Sequence, residues 1–451
     1  MTEVSHVASD PVRRLMALSV PAALASLWLP GCDDSSSKVA QPSATGAQAA
    51  AAPNSPNSPN SAASPASVKS ASNFLTGDAR WYRDQLLDGN ARPRLKAAVA
   101  PNGFYSPNIT RDWKLKGEQR GTLITQTRAM YVMASGYEVS GEPAFRDALM
   151  RTADFLLLKC HHPAEPGLWA KEFAPDGKVL DMEVHVYGQM QAIFALAHAY
   201  RSTGEKRFLD AALTTWLNVD IRALVSGKRP DYALTGLNVA MHTFEAILAL
   251  NRASPSRVLL DDLNVIGEHI LKYFLNEKEG YFYEHLTEDL KPVPGGEIRV
   301  GHNFEMAFLF SRAAAFGLPA KFHEAGSRVV NFAAAHGIHA TNGSVPHELT
   351  YDRVVRDPLL VFWCHAEALR ALAHFVIQRQ SAALRPKFDA VLGFVKGHFI
   401  DPDFGGWYRI ADRPDQGKGS DWFAGYHEAM LCTEILRLTD HRFKSSQEML
   451  L

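Results

Sequence analysis

Four cysteines among 451 residues are too few for a disulfide framework, and no two stand in CxxC spacing. A structural zinc cluster is excluded on the same ground, and no HExxH segment offers a helix-borne zinc site. No GxxxxGK[ST] loop is present to cradle a nucleotide phosphate, so no cofactor is expected. Charge of one sign is also lacking. The formal net charge is −1, with neither a basic stripe nor an acidic tail, which argues against nucleic acid as a partner. Three of the cysteines, Cys160, Cys364 and Cys432, lie in apolar, helix-like surroundings, where buried free thiols are expected.

Long apolar runs are lacking too, with one short one near the start. Arg13 and Arg14 precede Leu15 to Leu29, and Leu29-Pro30-Gly31-Cys32 closes the run with a small residue before cysteine. The run is too short to span a bilayer comfortably. Its order resembles a bacterial lipoprotein signal over residues 1–32, with Cys32 as the lipidated residue. The expected location is the periplasmic side of the cell envelope, with a lipid anchor to the membrane; Asp33 slightly favours the inner membrane. Residues 33–72 are rich in Ser, Ala, Pro and Asn and can bury almost nothing. They read as a disordered tether. Residues 73–451 are long enough for one large domain.

That domain reads as about twelve helices with Gly/Pro/Asp-rich turns between them. Helical spacing marks a first helix between Asp78 and Ala98, then Gly121–Val139, Ala144–Lys159, Tyr187–Ser202, Lys206–Ala223, Asn238–Arg252, Leu259–Leu275, His302–Phe316, Ala320–His336, Phe362–Gln378, Ala382–His398 and Trp422–Leu438. Charged amphipathic helices alternate with helices that are apolar nearly all round, whose polar residues cluster near their N-terminal ends. Glycine-aromatic segments recur before several enclosed helices: Gly167-Leu168-Trp169, Gly280-Tyr281-Phe282-Tyr283 and Gly405-Gly406-Trp407-Tyr408. Alternation with internal recurrence predicts an all-α (α/α)6 barrel, a toroid of six helical hairpins with short β-hairpins at the pocket rim. Trp169 and Trp407 are expected to pack in these hairpins.

Three histidines stand at matching places in this pattern: His242, His302 and His427, each with a glutamate on the same turn (Glu245, Glu305 and Glu428). Imidazoles converging on one pocket can move protons near neutral pH, and Glu305, one turn after His302, could orient its ring. His302, Glu305, His242 and His427 could also ligate an ion, but carboxylates do not cluster in the sequence, and no metal is expected.

Taken in order, Thr125-Gln126-Thr127-Arg128, Tyr187-Gly188-Gln189, Asn238 with Met241-His242 and Glu245, Gly301-His302 with Glu305, Trp363 with Ala366-Glu367, Gly405-Gly406-Trp407, Trp422 and Tyr426-His427 resemble the N-acylglucosamine 2-epimerase superfamily. The resemblance covers most of the domain and implies the same barrel. It implies a carbohydrate 2-epimerase or aldose–ketose isomerase that moves the C2 proton through a cis-enediolate. His302 and His427 are then the acid/base pair, and His242 with Asn238 serves ring opening or binds O1 and O2. Arg128 holds the oxyanion, while Tyr187, Trp363, Glu367 and Trp422 line the pocket. The implied partner is a mono- or oligosaccharide substrate, and the chain is expected to be a monomer or homodimer. Two departures, His365 in place of a Gln and Phe423 in place of a Lys, fall where the family meets its sugar. Two other readings stand beside this one. One is a glycoside or unsaturated-uronide hydrolase on the same barrel, which needs two facing acids. The other is a carbohydrate-binding lipoprotein without catalysis.

Overall fold

The computed structural model describes residues 78–227 and 234–439. The expected signal segment, Cys32 and the tether lie outside the described residues.

The chain begins with α1 (78–86), a π-helical turn at Leu87–Ala91 and α2 (Arg92–Ala98). Six helices then enclose the interior: α3 (Leu123–Ser140), α5 (Val186–Thr203), α8 (Leu237–Ala253), α10 (Val300–Ala313), α12 (Phe362–Gln378) and α14 (Tyr426–Thr439). Each packs on the next, and α14 returns to α3, so the ring closes. Outside it lie α4 (Pro143–Lys159), α6 (Lys206–Val219), α9 (Arg257–His269), α11 (Ala320–His336) and α13 (Arg385–His398), each against the inner helix before it. A short α7 (Ile221–Val225) follows α6. Asn90 Nδ2 donates to the Gly425 carbonyl at 2.7 Å and ties the first helical segment to the entry of α14. The expected (α/α)6 barrel is the fold.

Local chemistry sets these boundaries. Thr122 Oγ1 accepts from the Thr125 N–H at 3.1 Å and starts α3, and Gly141, with φ +71°, ends it. Outer helices repeat one device: Phe145, Phe208, Phe322 and Phe388 stand in their first turns and are buried against the ring. Each contributes roughly 2–3 kcal/mol of apolar burial. The helix expected over Lys206–Ala223 breaks at Asp220, whose φ of +52° turns the chain and whose side chain caps α7. The helix expected from Trp422 begins at Tyr426, because Gly425 with φ +79° cannot continue it backwards. Cys160, Cys364 and Cys432 are buried and outside any disulfide, as expected.

Short antiparallel strands rim one end. β1 (Gly121–Thr122), β2 (Glu172–Phe173) and β3 (Val179–Asp181) form one sheet, and β4 (Leu275–Asn276) with β5 (Tyr281–Phe282) form a hairpin. β6 (Glu297–Arg299), β7 (Glu348–Thr350) and β8 (Val355–Asp357) form a third sheet, with β6 running directly into α10.

Four of the glycine turns, at Gly103, Gly167, Gly280 and Gly343, share one attachment: the residue two beyond the positive-φ glycine is gripped through its backbone by an inner-helix side chain. The Trp407 carbonyl after Gly405 instead accepts from Lys418 Nζ at 3.3 Å. Gln126 Oε1 accepts from Tyr105 N–H (2.8 Å) and its Nε2 donates to Tyr105 O (2.9 Å); Gln189 does the same with Trp169 (3.0 and 2.9 Å). Asn303 does so with Phe282 (2.8 and 3.3 Å). At Val345, after Gly343, the grip is His365, whose Nε2 accepts the Val345 N–H at 3.0 Å while Nδ1 meets Val361 O at 2.9 Å. His365 therefore replaces the amide as a structural clamp, wholly buried and stacked on Phe394. Burial pushes its imidazole down to about 4, so the ring stays neutral.

Trp169 and Trp407 pack in their hairpins as expected, with Trp169 Nε1 donating to Thr215 Oγ1 at 2.9 Å and Trp407 Nε1 to Gln85 Oε1 at 3.2 Å. Among the described residues no helix is long and apolar enough to cross a membrane.

Candidate active site

The N-terminal ends of the inner helices converge beneath the rim, and the three histidines meet there. Each presents Nδ1 to a buried carboxylate: His302 to Glu284 Oε2 at 2.8 Å, His427 to Glu367 Oε1 at 2.8 Å, and His242 to Glu245 Oε2 at 3.0 Å. An ionised carboxylate can only accept, so each pair assigns the proton to Nδ1 and leaves Nε2 as the basic nitrogen. Trp363 ties two of the rings to one place, its ring centroid 4.9 Å from that of His302 and 5.8 Å from that of His427. Tyr187 packs edge-on against the third, His242, at 5.0 Å.

Two of the carboxylates are not those the sequence offered. The orienting group of His302 is Glu284, on the strand-to-rim segment after β5, rather than Glu305 one turn along. That of His427 is Glu367 of α12, rather than its neighbour Glu428. Only His242 takes its carboxylate from one turn along its own helix, while His302 and His427 take theirs from adjacent elements. A usable signal for Glu284 was its place directly after the Tyr281-Phe282-Tyr283 aromatic run.

Glu367 is fully buried, and its other oxygen accepts from Arg370 Nη1 at 3.0 Å. Arg370 Nη2 lies 3.8 Å from Glu245 Oε1, and the Tyr426 hydroxyl donates to Glu245 Oε2 at 2.8 Å. Glu305 is fully buried in the same cluster, with an oxygen within 4.8 Å of ligand atoms of His242 and Glu245 and of Glu367 and His427. The carboxylates that seemed scattered in the sequence thus gather around one guanidinium. Burial opposes the charge on Arg370, but Glu367, Glu245 and Glu305 outweigh it and raise its pKa further. Burial likewise works to raise the Glu245 carboxyl, yet His242, Arg370 and Tyr426 hold it down at about 2. Among the described residues, two of the groupings that could hold a cation, His242/Glu245/Glu305 and Glu305/Glu367/His427, already carry these internal hydrogen bonds and the balancing guanidinium. A third grouping, His347/Glu348/Asp357, lies at the third sheet.

Burial pushes His427 down to about 4, against the pull of Glu367. His242 is lowered for the same first reason, against Glu245, with Arg128 and His302 adding to the fall. Burial acts to raise Glu284, but the positive charge of His302 and Arg299 keeps it below the ordinary carboxylate range. His242 and His427 are therefore held as neutral bases beside ionised carboxylates.

Arg128 crosses the pocket wall, with Nη2 donating to the Tyr187 hydroxyl at 2.8 Å and Nη1 to the Trp422 carbonyl at 2.9 Å. Its guanidinium lies 5.0 Å from the Tyr426 ring and 5.7 Å from that of Trp422. Asn238 is buried, and its Oδ1 has no hydrogen-bond partner. Phe423 packs at a 44° tilt against Phe362, ring centroids 4.5 Å apart, with Arg94 5.3 Å from its ring. Two further groups escaped the sequence reading. Gln191 has Nε2 3.4 Å from His242 Nδ1, and its Oε1 is unpartnered. His347 stands edge-on to Trp363 at 5.8 Å.

The N-acylglucosamine 2-epimerase profile matches residues 103–430. A cellobiose 2-epimerase of Ruminococcus albus is 23% identical over 375 residues, covering 74% of this chain and 92% of its own. A D-mannose isomerase of Marinomonas mediterranea is 21% identical over 368 residues, covering 75% and 92%. The solved cellobiose 2-epimerase of Spirochaeta thermophila superposes with a TM-score of 0.72 at 21% identity, covering 82% of this chain and 98% of that one, and shares the fold.

Proposed function

The chain belongs to the N-acylglucosamine 2-epimerase family and is a carbohydrate epimerase or isomerase, and from that premise we propose that it inverts or relocates the C2 hydrogen of a mono- or oligosaccharide through an enediolate, with His302 and His427 as acid and base. The observation that carries the reading is the set of imidazoles held through Nδ1 by buried carboxylates, two of them against one tryptophan.

In the proposed reaction the sugar ring opens beside His242 and Asn238. The Nε2 of one histidine takes the C2 proton. The electron pair of the broken C–H bond forms the C1=C2 bond of the enediolate, and the carbonyl electrons move to O1. Arg128 stabilises that oxygen. The second histidine, carrying a proton on Nε2 once the sugar is bound, returns it to the opposite face of C2, giving the epimer; return to C1, with the O2 proton passing to O1, gives the ketose instead. Glu284 and Glu367 are positioning residues in this account. They fix each ring and stabilise the imidazolium as it forms. Glu305 keeps the charge of the Arg370 cluster, and Tyr187, Trp363 and Trp422 line the sugar. Tryptophan faces suit the C–H faces of a pyranose.

Hydrolysis is the weaker reading. It needs two carboxyl groups facing across a glycosidic bond, whereas Glu245, Glu284 and Glu367 are each tied to an imidazole.

The test is proton NMR of D-mannose, D-glucose, N-acetylhexosamines and β-linked disaccharides in deuterated buffer. At least one sugar should gain deuterium at C2, and His302→Ala and His427→Ala should each abolish the label. Label persisting in either variant would remove that residue from the mechanism. Anchoring through Cys32, as part of the same proposal, rests on the order of Arg13-Arg14, the short apolar run and the cysteine. Cys32→Ala should shift the protein from the membrane to the soluble periplasmic fraction, and an unchanged distribution would refute it.

A further inference from the structure

His347 belongs to none of the roles above, yet it is built like the three site histidines. It is 5% exposed, and its Nδ1 lies 2.9 Å from Asp357 Oδ2, which assigns the proton to Nδ1 and makes Nε2 an acceptor. That Nε2 is buried and has no hydrogen-bond partner. The backbone fixes the residue beside the site: the carbonyl of His347 accepts from the Val300 N–H at 3.2 Å, two residues before His302. The ring then stands at 89° to Trp363, whose other neighbours are His302 and His427. Glu348, 3.8 Å from the same Nδ1, is drawn away toward Arg299 and Arg356, at 3.6 and 3.8 Å. Asp357 is thus the closer carboxylate holding the ring.

A buried acceptor without a donor is costly, and beside a sugar pocket a substrate hydroxyl can complete it. We propose that His347 is a substrate-binding residue whose Nε2 accepts a hydrogen bond from a hydroxyl of the sugar on the His302 side of Trp363. The inference rests on the carbohydrate reading of the site and adds a residue that selects among sugars by the position and orientation of that hydroxyl. A sugar lacking the hydroxyl leaves the acceptor dry, which is the kind of mismatch a polar pocket rejects most strongly. Burial, the first influence on the ring, holds it below the ordinary imidazole range despite Asp357, consistent with an acceptor that stays unprotonated at neutral pH.

Two substitutions separate this role from a purely structural one. In His347→Asn the amide nitrogen stands where Nδ1 was, so the Asp357 bond survives and the pocket acceptor is lost. In His347→Gln an amide oxygen reaches the place of Nε2, and the Asp357 bond is lost. With whichever of D-mannose or cellobiose exchanges its C2 hydrogen, His347→Asn should raise KM about tenfold and leave kcat within about threefold. His347→Gln should return KM to within about threefold of the parent. The opposite order, with Asn benign and Gln impaired, assigns the ring to structure and overturns the proposal, as does an unchanged KM in both. Binding is read separately by quenching of tryptophan fluorescence with mannitol and cellobiitol. A parent that binds an alditol while exchanging no C2 hydrogen fails the proposed reaction alone, and the same Asn/Gln order in the quenching constants still supports His347. No saturable quenching and no exchange in the parent would overturn both.

Discussion

Replacing Glu284 by Gln tests the least visible part of the site. Glu284 is fully buried, and its Oε2 lies 2.8 Å from His302 Nδ1. Its backbone is pinned on both sides, with Leu237 N–H donating to its carbonyl at 2.8 Å and its own N–H donating to Glu297 O at 3.3 Å. A glutamine fits the same space and can still turn an oxygen toward Nδ1–H, so the ring keeps its orientation. The charge is what disappears. Two unit charges about 4 Å apart attract by about 4 kcal/mol at an effective dielectric near 20. In the transition state the proton is only part-way to the imidazole, so roughly half of that, about 2 kcal/mol, is lost. This corresponds to a fall in kcat of about 30-fold, rising toward 10³-fold where the imidazolium is fully formed. KM should change by less than about threefold, because the lost attraction acts only once His302 is charged. The assay is the initial rate of C2–H exchange followed by NMR, alongside a thermal melt to establish that the variant is folded. A folded Glu284→Gln protein with a rate within about threefold of the parent would refute the argument that this carboxylate stabilises the protonated His302.

Two other perturbations follow from the same geometry. A Cβ at Gly301 would stand 2.2 Å from Trp363 Cζ3, where ordinary contact begins at 3.4 Å, so Gly301→Ala must push the indole by more than 1 Å off its place beside His302. The expected result is a loss of about 10²-fold in kcat/KM and of about 1–3 kcal/mol in stability, and a variant with parental kinetics would show that the position of Trp363 is not critical. Burial holds His427 and His365 at about 4 and also lowers His242, His198 and His374. Against an unfolded value near 6.5, the unfolded chain binds more protons between about pH 4 and 6.5, so stability rises with pH across that window and is fully present above it. A fully buried ring held near 4 is worth about 3 kcal/mol at neutral pH relative to its protonated state; melting temperatures should climb from pH 4.5 to 6.5, and a flat profile would contradict the buried neutral imidazoles.

The barrel was legible because its physics is local and repeated. Inner helices are apolar all round because they are enclosed, and outer helices show one apolar stripe because they have one covered side. The glycine hairpins announce themselves where φ must be positive. The departure at His365 was readable as a change of residue but not as a change of work. Only the backbone of Val345, two residues past Gly343, shows that the imidazole fills the slot of an amide. At α14 the helical pattern ran on to Trp422, and it took Gly425 to show where the turn ends.

The sequence by itself determined which side chains can carry a proton and which helix ends they stand on, since residue type and helical spacing are properties of short segments. His242, His302 and His427 follow from that, whereas Arg128, Tyr187, Asn238, Trp363 and Trp422 were named through the resemblance to the family. Only the tertiary structure decided who holds whom. Glu284 comes to His302 from the rim, Glu367 comes to His427 from the neighbouring helix, and Glu245, Glu305 and Glu367 share one guanidinium. Such contacts depend on the closure of a ring hundreds of residues long, and a helix that turns every 3.6 residues points its side chains at neighbours the linear order does not name.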